Sequence, residues 1–270
     1  DPRVENEAVS LINGGHEVFL FSLSYEEELA VEAINKIKVH RYKSNKLEYK
    51  LSALANDFPF YSFLMKRKLN NFISKIKPDV IHIHDIKIAD AIFQVNKKYK
   101  LPVVLDLHDN LPEVMKLYPH LQKFPGKFII SPKRWKRKEV CFIKKATKIV
   151  TVSPHFVNNI QERVPSQKEN IILVPNTISS SFYEDFEADN AIIERYKNHF
   201  VLLYLGDTHL RRGLQTAIKS LTNLSHVIPN IKLVIVGKNT TDSILKQQVS
   251  DLRLEKFVDF EGWQNVDKFQ

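Results

Sequence analysis

Apolar residues along this chain fall into short unbroken runs that end on polar residues, and between the runs they recur every three or four positions. The first pattern predicts strands of parallel sheets, and the second predicts amphipathic helices packed on their faces. Residues 5–11 read as a helix closed by Gly14 and Gly15, and 16–23 and 36–42 read as strands. A long basic helix is predicted over 58–76, with Phe63, Leu64, Leu69, Phe72 and Ile73 as its inner face. Strand 80–83, helix 89–99 and strand 103–107 follow, and 111–131, broken by prolines and glycines among aromatics, reads as irregular. Helix 133–145, strand 148–152, a helix opened by a Ser153 cap and Pro154, and strand 171–174 complete the series.

The polar, turn-rich stretch 175–181 breaks this rhythm. A second series then begins with strand 200–206 and continues through helix 213–224, strand 232–236, helix 243–252 and strand 257–260. Repeated β-α alternation predicts an α/β protein with two doubly wound parallel-sheet domains. The boundaries read as 1–177 for the first domain, 178–197 for a linker region and 198–270 for an incomplete second domain.

Composition narrows the partners. Hydrophobic residues make up 43% and charged residues 26%, an ordinary globular balance. No apolar run approaches the roughly 20 residues needed to span a bilayer. The net charge of +9 favours phosphate-bearing substrates, an anionic membrane surface or nucleic acid. The lone Cys141 forms no intramolecular disulfide, fits a reducing, cytoplasmic compartment, and reads as an inert core thiol. The chain starts on Asp1 and ends on Gln270 where a new helix is beginning, so it reads as a piece of a longer protein.

The candidate chemistry sits at strand ends, where open α/β sheets bind ligands. The chain lacks a G-x-G-x-x-G fingerprint and a Walker loop, and its seven glycines disfavour dinucleotide oxidoreductases and P-loop enzymes. Phosphate would instead be held by Gly206, Arg211 and Arg212 at a strand end and helix start; a solvated helix start is the competing reading of the two arginines. His82, His84, Asp85, His108 and Asp109 punctuate adjacent strands. Strand alternation puts His82 and His84 on one side. His82 is expected to be a satisfied core residue, and His108 with Asp109 forms the better catalytic pair. The spacing resembles no common metal motif, so no metal is expected to be required. Residues 116–148 are strongly basic with aromatics interleaved, and Lys133, Arg134, Trp135, Arg137 and Lys138 mark a candidate membrane surface. The alternatives are nucleic acid, for which no motif is present, and a plain solvated helix face.

In order and spacing, several segments together resemble the GT-B glycosyltransferases, in particular the retaining family 4 group that builds bacterial surface polysaccharides. They are Asp1-Pro2-Arg3-Val4 with Glu7-Ala8, Gly15-His16-Glu17-Val18, Pro78 through His84, Leu105-Asp106-Leu107-His108-Asp109, Ile149 through Ser153, and Val174-Pro175-Asn176-Thr177. Tyr204-Leu205-Gly206, Arg212-Gly213-Leu214, Leu233 through Gly237 and Val258 through Trp263 complete the resemblance. It implies two Rossmann-like domains across a cleft, the first binding a glycan or lipid-linked acceptor and the second a nucleotide-sugar donor. Arg212 matches the family's basic residue on the donor diphosphate, and His108 its acceptor-domain histidine. Gly262 and Trp263 fall in the nucleobase loop, and Arg3, His84 and Asp85 lie on the acceptor side. Many members carry an arginine where this chain has Asp207. The resemblance further implies a retaining reaction in which the leaving phosphate assists the acceptor hydroxyl, with no cofactor beyond the co-substrate. It also implies a first strand and a paired-glutamate donor motif outside this stretch, so the stretch alone is expected to lack turnover. The expected setting is the cytoplasm, peripheral on the inner face of the membrane. A GT-B sugar-nucleotide 2-epimerase and a noncatalytic GT-B-like binding protein are the alternatives.

Overall fold

The structure, a computed structural model, describes residues 2–25, 31–84, 86–118, 121, 123–124, 126–177 and 189–264. The chain divides into two compact units, Asp1–Asn176 and Thr177–Gln270.

In unit 1, helix α1 (Pro2–Asn13) ends as the glycine pair predicts: the His16 N–H donates to the Leu11 carbonyl and the Gly15 N–H to Ile12. Strands β1 (Phe19–Ser24), β2 (Val31–Ile34) and β3 (Ile37–Lys43) form a three-stranded sheet, with β1 parallel and β2 antiparallel to β3. Strand β2 had no signal in the sequence; it is four residues long and mostly exposed. Helices α2 (Lys46–Ser52) and α3 (Phe60–Ile76) lead into a fully parallel sheet. Its strands, in order, are β4 (Ile81–His84), β5 (Val103–Leu107), β6 (Lys148–Thr151) and β7 (Ile171–Leu173). Helices α4 (Ala89–Tyr99), α5 (Pro132–Lys145) and α6 (Pro154–Arg163) are the crossovers. The Ser153 hydroxyl caps α6, accepting from the Phe156 N–H.

One core joins the faces of both sheets through Met65, Leu69, Ile83, Leu105, Phe142 and Ile149. Three expectations about this unit are corrected. The inner face of α3 is Tyr61, Met65, Leu69, Phe72 and Ile73, while Phe63 is 75% exposed and Leu64 is also on the surface. Counting back from Leu69 in fours gives Met65 and Tyr61; Phe63, six positions away, falls on the opposite side of the helix. Cys141 is exposed rather than in the core. The buried positions of α5 are Trp135, Glu139, Phe142 and Ile143, and Cys141 lies off that stripe. The region 111–131 contains helical turns at Leu111–Val114, Met115–Leu117 and Gly126–Ile129.

In unit 2, helix α7 (Asn190–Tyr196) lies in what the sequence suggested was linker. Strands β8 (Phe200–Leu205), β9 (Ile231–Val236) and β10 (Val258–Gly262) form a parallel sheet ordered β10-β9-β8. Helices α8 (Leu214–Val227) and α9 (Asp242–Asp251) pack on β9 and β10 through Leu214, Ile218, Leu221, Leu245 and Val249. Residues 178–188, most of the predicted linker, lie outside the described residues.

Candidate functional site

At the carboxyl end of its parallel sheet, unit 1 gathers side chains. Arg3 and Glu7 stand one turn apart on α1 and pair at 2.8 Å. The Arg3 guanidinium also donates to Asp106 (2.9 Å), to the Val174 carbonyl (3.1 Å) and to the Asn176 side chain (2.8 Å). One arginine therefore ties the first helix to the ends of β5 and β7. Register places His84 beside Asp106, with His84 Nδ1 3.2 Å from a carboxylate oxygen. His82 stacks on His84 with ring centroids 4.3 Å apart, as strand alternation predicts.

The electrostatics of this cluster are shared. Burial opposes the charge on Asp106, yet hydrogen bonds from His84 and Arg3 and the charge of Arg3 hold its pKa at about 2. Glu7 moves the other way: burial and the negative charge of Asp106 raise it. His82 falls to about 4 because burial disfavours its cation, as does His84. His82 is not the satisfied core residue expected. Its Nε2 has no hydrogen-bond partner and lies 3.8 Å from Glu7.

His108 and Asp109 follow β5, Asp109 exposed. The carboxylate recorded beside His108 is Asp106, at an ion-pair distance of 3.9 Å. Asp85 lies outside the described residues. Ligand atoms of Glu7, His82, His84 and Asp106 lie within 4.8 Å of one another, so these four are the set that could hold a metal ion. The Arg3 guanidinium already occupies the cation position between the two carboxylates, which works against a divalent ion there.

Unit 2 builds its edge from backbone. Gly206, Gly237 and Gly262 end β8, β9 and β10, all with positive φ (138°, 150° and 70°). The Gly206 N–H donates to the Val236 carbonyl and the Gly237 N–H to the Gly262 carbonyl. A Cβ on Gly237 would sit 1.8 Å from the Gly206 carbonyl oxygen, so only glycine fits. The result is a strand-end floor without side chains, onto which a ligand can close against main chain.

Beside this floor, the turn Leu210–Arg212 presents Arg211 and Arg212 just before α8. Asp207 faces both, at 3.5 Å from Arg211 and 4.0 Å from Arg212. It also accepts from the Asn239 amide (2.7 Å) and the His209 N–H (3.2 Å). Burial opposes its charge, but these hydrogen bonds and the two arginines keep its pKa below the ordinary range. Asp242 accepts from buried Thr208 and from the Asn239 N–H, locking the β8 and β9 loops together. Trp263 is 67% exposed next to Gly262.

The membrane surface predicted on α5 changes in composition. Trp135 is 1% exposed and donates its indole N–H to Asp57, so it belongs to the core. Arg134 pairs with Asp57 and Lys138 with Asp90, while Lys133 and Arg137 are exposed. Among the described residues no helix is long and apolar enough to cross a membrane.

Sequence reasoning missed Asp106, Glu7 and Asn176, whose partners lie far along the chain. It noted Gly237 without assigning it a role, although Gly237 ends an apolar strand as Gly206 does.

Two parallel-sheet units with functional groups at their strand ends define the GT-B class. Residues 3–182 match Glycosyltransferase Family 4 and residues 185–269 match Glycosyl transferases group 1, and the chain belongs to this glycosyltransferase family. A curated relative from Klebsiella pneumoniae, an uncharacterized 42.6 kDa protein in the cps region, is 27% identical over 107 residues, covering 36% of this chain and 29% of that protein. The Thermosynechococcus elongatus sucrose-phosphate synthase superposes with a TM-score of 0.70 at 15% identity, covering 98% of this chain and 65% of that one. Anabaena HepE in complex with UDP-glucose gives 0.58 at 17% identity, covering 86% of this chain and 57% of that one. The chain thus spans less than two thirds of the length of these relatives.

Proposed function

We propose that the protein containing this chain transfers a sugar, with retention, from a nucleotide-sugar donor to a glycan or lipid-linked acceptor. The setting is bacterial cell-surface polysaccharide synthesis on the cytoplasmic side of the membrane, and no metal or cofactor is needed. The observation that carries the donor half is the glycine floor beside Arg211 and Arg212. Loss of a nucleoside diphosphate concentrates negative charge on the leaving phosphate as the C1–O bond breaks. Fixed cations and backbone N–H groups aimed at that charge stabilise it more in the transition state than in the ground state. HepE, which shares the fold, is known in complex with UDP-glucose. The cps location of the Klebsiella relative supports the surface-polysaccharide setting.

Unit 1 supplies the acceptor side in this reading. Asp106 and Arg3 fix His84, and His108 stands beside them at the end of β5. The leaving phosphate itself takes the acceptor proton, so no strong protein base is required.

The test is a panel of UDP-, GDP- and ADP-sugars screened by thermal shift on the full-length protein. One donor should bind, and Arg212→Ala should weaken it roughly tenfold or more, as expected for loss of a charge-assisted contact. Equal binding by the variant removes Arg212 from the donor site; no binding by any donor supports the noncatalytic alternative.

A further inference from the structure

The surface of unit 1 around the start of α5 carries apolar rings in water. Phe124 is 84% exposed and Phe128 78%, and the two rings lie 6.4 Å apart. Phe60 and Phe63, one turn apart on α3, are 61% and 75% exposed. Rings this large are normally buried, and their clustering marks an interaction surface.

Asp57 joins the two clusters. Its carboxylate accepts from the Ser131 N–H, the Arg134 guanidinium and the Trp135 indole, which pins the loop before α3 to the first turn of α5. Phe58, stacked on Phe60 at 6.3 Å, belongs to the same corner. Lys123, Lys127 and Lys133 are exposed among the rings. A cavity beside them is lined by Lys116, Lys127, Phe128, Lys133 and Arg134. The corner thus combines projecting phenylalanines with ammonium groups and one guanidinium.

We infer that this corner docks on an anionic bilayer, with Phe60, Phe63, Phe124 and Phe128 entering the interface and Lys123, Lys127 and Lys133 meeting lipid phosphates. Charge complementarity selects this occupant, because a basic rim around apolar anchors is what an acidic headgroup layer over acyl chains fits. The buried Trp135 takes no part. The inference rests on the surface of unit 1 and not on the reaction, so either can fail alone.

The test is sedimentation of the full-length protein with phosphatidylcholine vesicles, with and without phosphatidylglycerol. Binding is expected only with phosphatidylglycerol and should weaken as salt is raised. Phe124→Ser with Phe128→Ser should lower it about tenfold or more, and Lys127→Glu with Lys133→Glu by a similar factor, each lysine near the surface contributing about fivefold. Donor binding and melting temperature serve as folding controls, and Phe60→Ser with Phe63→Ser probes the second cluster if the first variant unfolds. Equal binding to neutral vesicles, no vesicle binding, or capture of a dispersed polyprenyl phosphate without vesicle binding would each overturn the inference.

Discussion

The two strand-end edges of this molecule are built from opposite materials. Unit 1 crowds charged and imidazole side chains around Asp106, each held by another. Unit 2 clears side chains away and leaves three glycines, with the charges standing to one side on Arg211 and Arg212. A side-chain edge suits ligands recognised hydroxyl by hydroxyl, because hydrogen bonds can be placed one at a time. A backbone edge suits a ligand that must come very close, as a diphosphate does against main-chain N–H groups.

The sharpest way to break this comparison is to remove the hub of the first edge. Asp106→Ala leaves the Arg3 guanidinium, 9% exposed, without its main counter-charge. Loss of one partner of a buried pair costs about 3–5 kcal/mol, and urea titration of the variant should show a loss of that size. The second edge has a matching test. Gly237→Ala puts a methyl group 1.8 Å from the Gly206 oxygen, at a φ that L-residues rarely adopt. A loss of about 3 kcal/mol is expected. Peptide-resolved hydrogen exchange should place it in unit 2, with unit 1 unchanged; loss spread over both units would contradict independent edges.

Protonation distinguishes the edges more gently. His82 titrates at about 4 when folded and at 6.5 when unfolded. A lowered pKa means that the unfolded chain binds more protons between these values. Its contribution to stability is therefore complete above 6.5 and is lost as pH falls toward 4. The loss should be about 2–3 kcal/mol, and His82→Gln should flatten that part of the stability–pH curve. An unchanged curve removes His82 from the account. The smallest effect expected is at Asp207, which competes with phosphate for the two arginines. Asp207→Asn keeps the shape while removing the charge, and calorimetry should show donor binding a few-fold tighter. Weaker binding would instead make Asp207 a donor contact.

Local patterns carried much of the fold into the sequence. The apolar runs at β4, β5 and β9, the Gly14-Gly15 stop and the Ser153 cap depend on neighbours within a few residues, so they can be read directly. Helix faces were less legible where apolar residues exceed the stripe, as at Phe63 and Leu64, or where a tryptophan among lysines looked like surface, as at Trp135. The Asp106 cluster was hidden for another reason. Arg3 reaches across 103 residues to Asp106 and 171 to Val174, and only register brings His84 to Asp106. Gly237 matters because its neighbour across the sheet is Gly206, a pairing with no local trace.

The most direct measurement is hydrogen exchange on the full-length protein with and without UDP-glucose. The account predicts slowed exchange in peptides covering 204–214, 236–242 and 260–264, with little change around Asp106. Protection confined to the ends of β4 and β5, with none at the glycine edge, would contradict it.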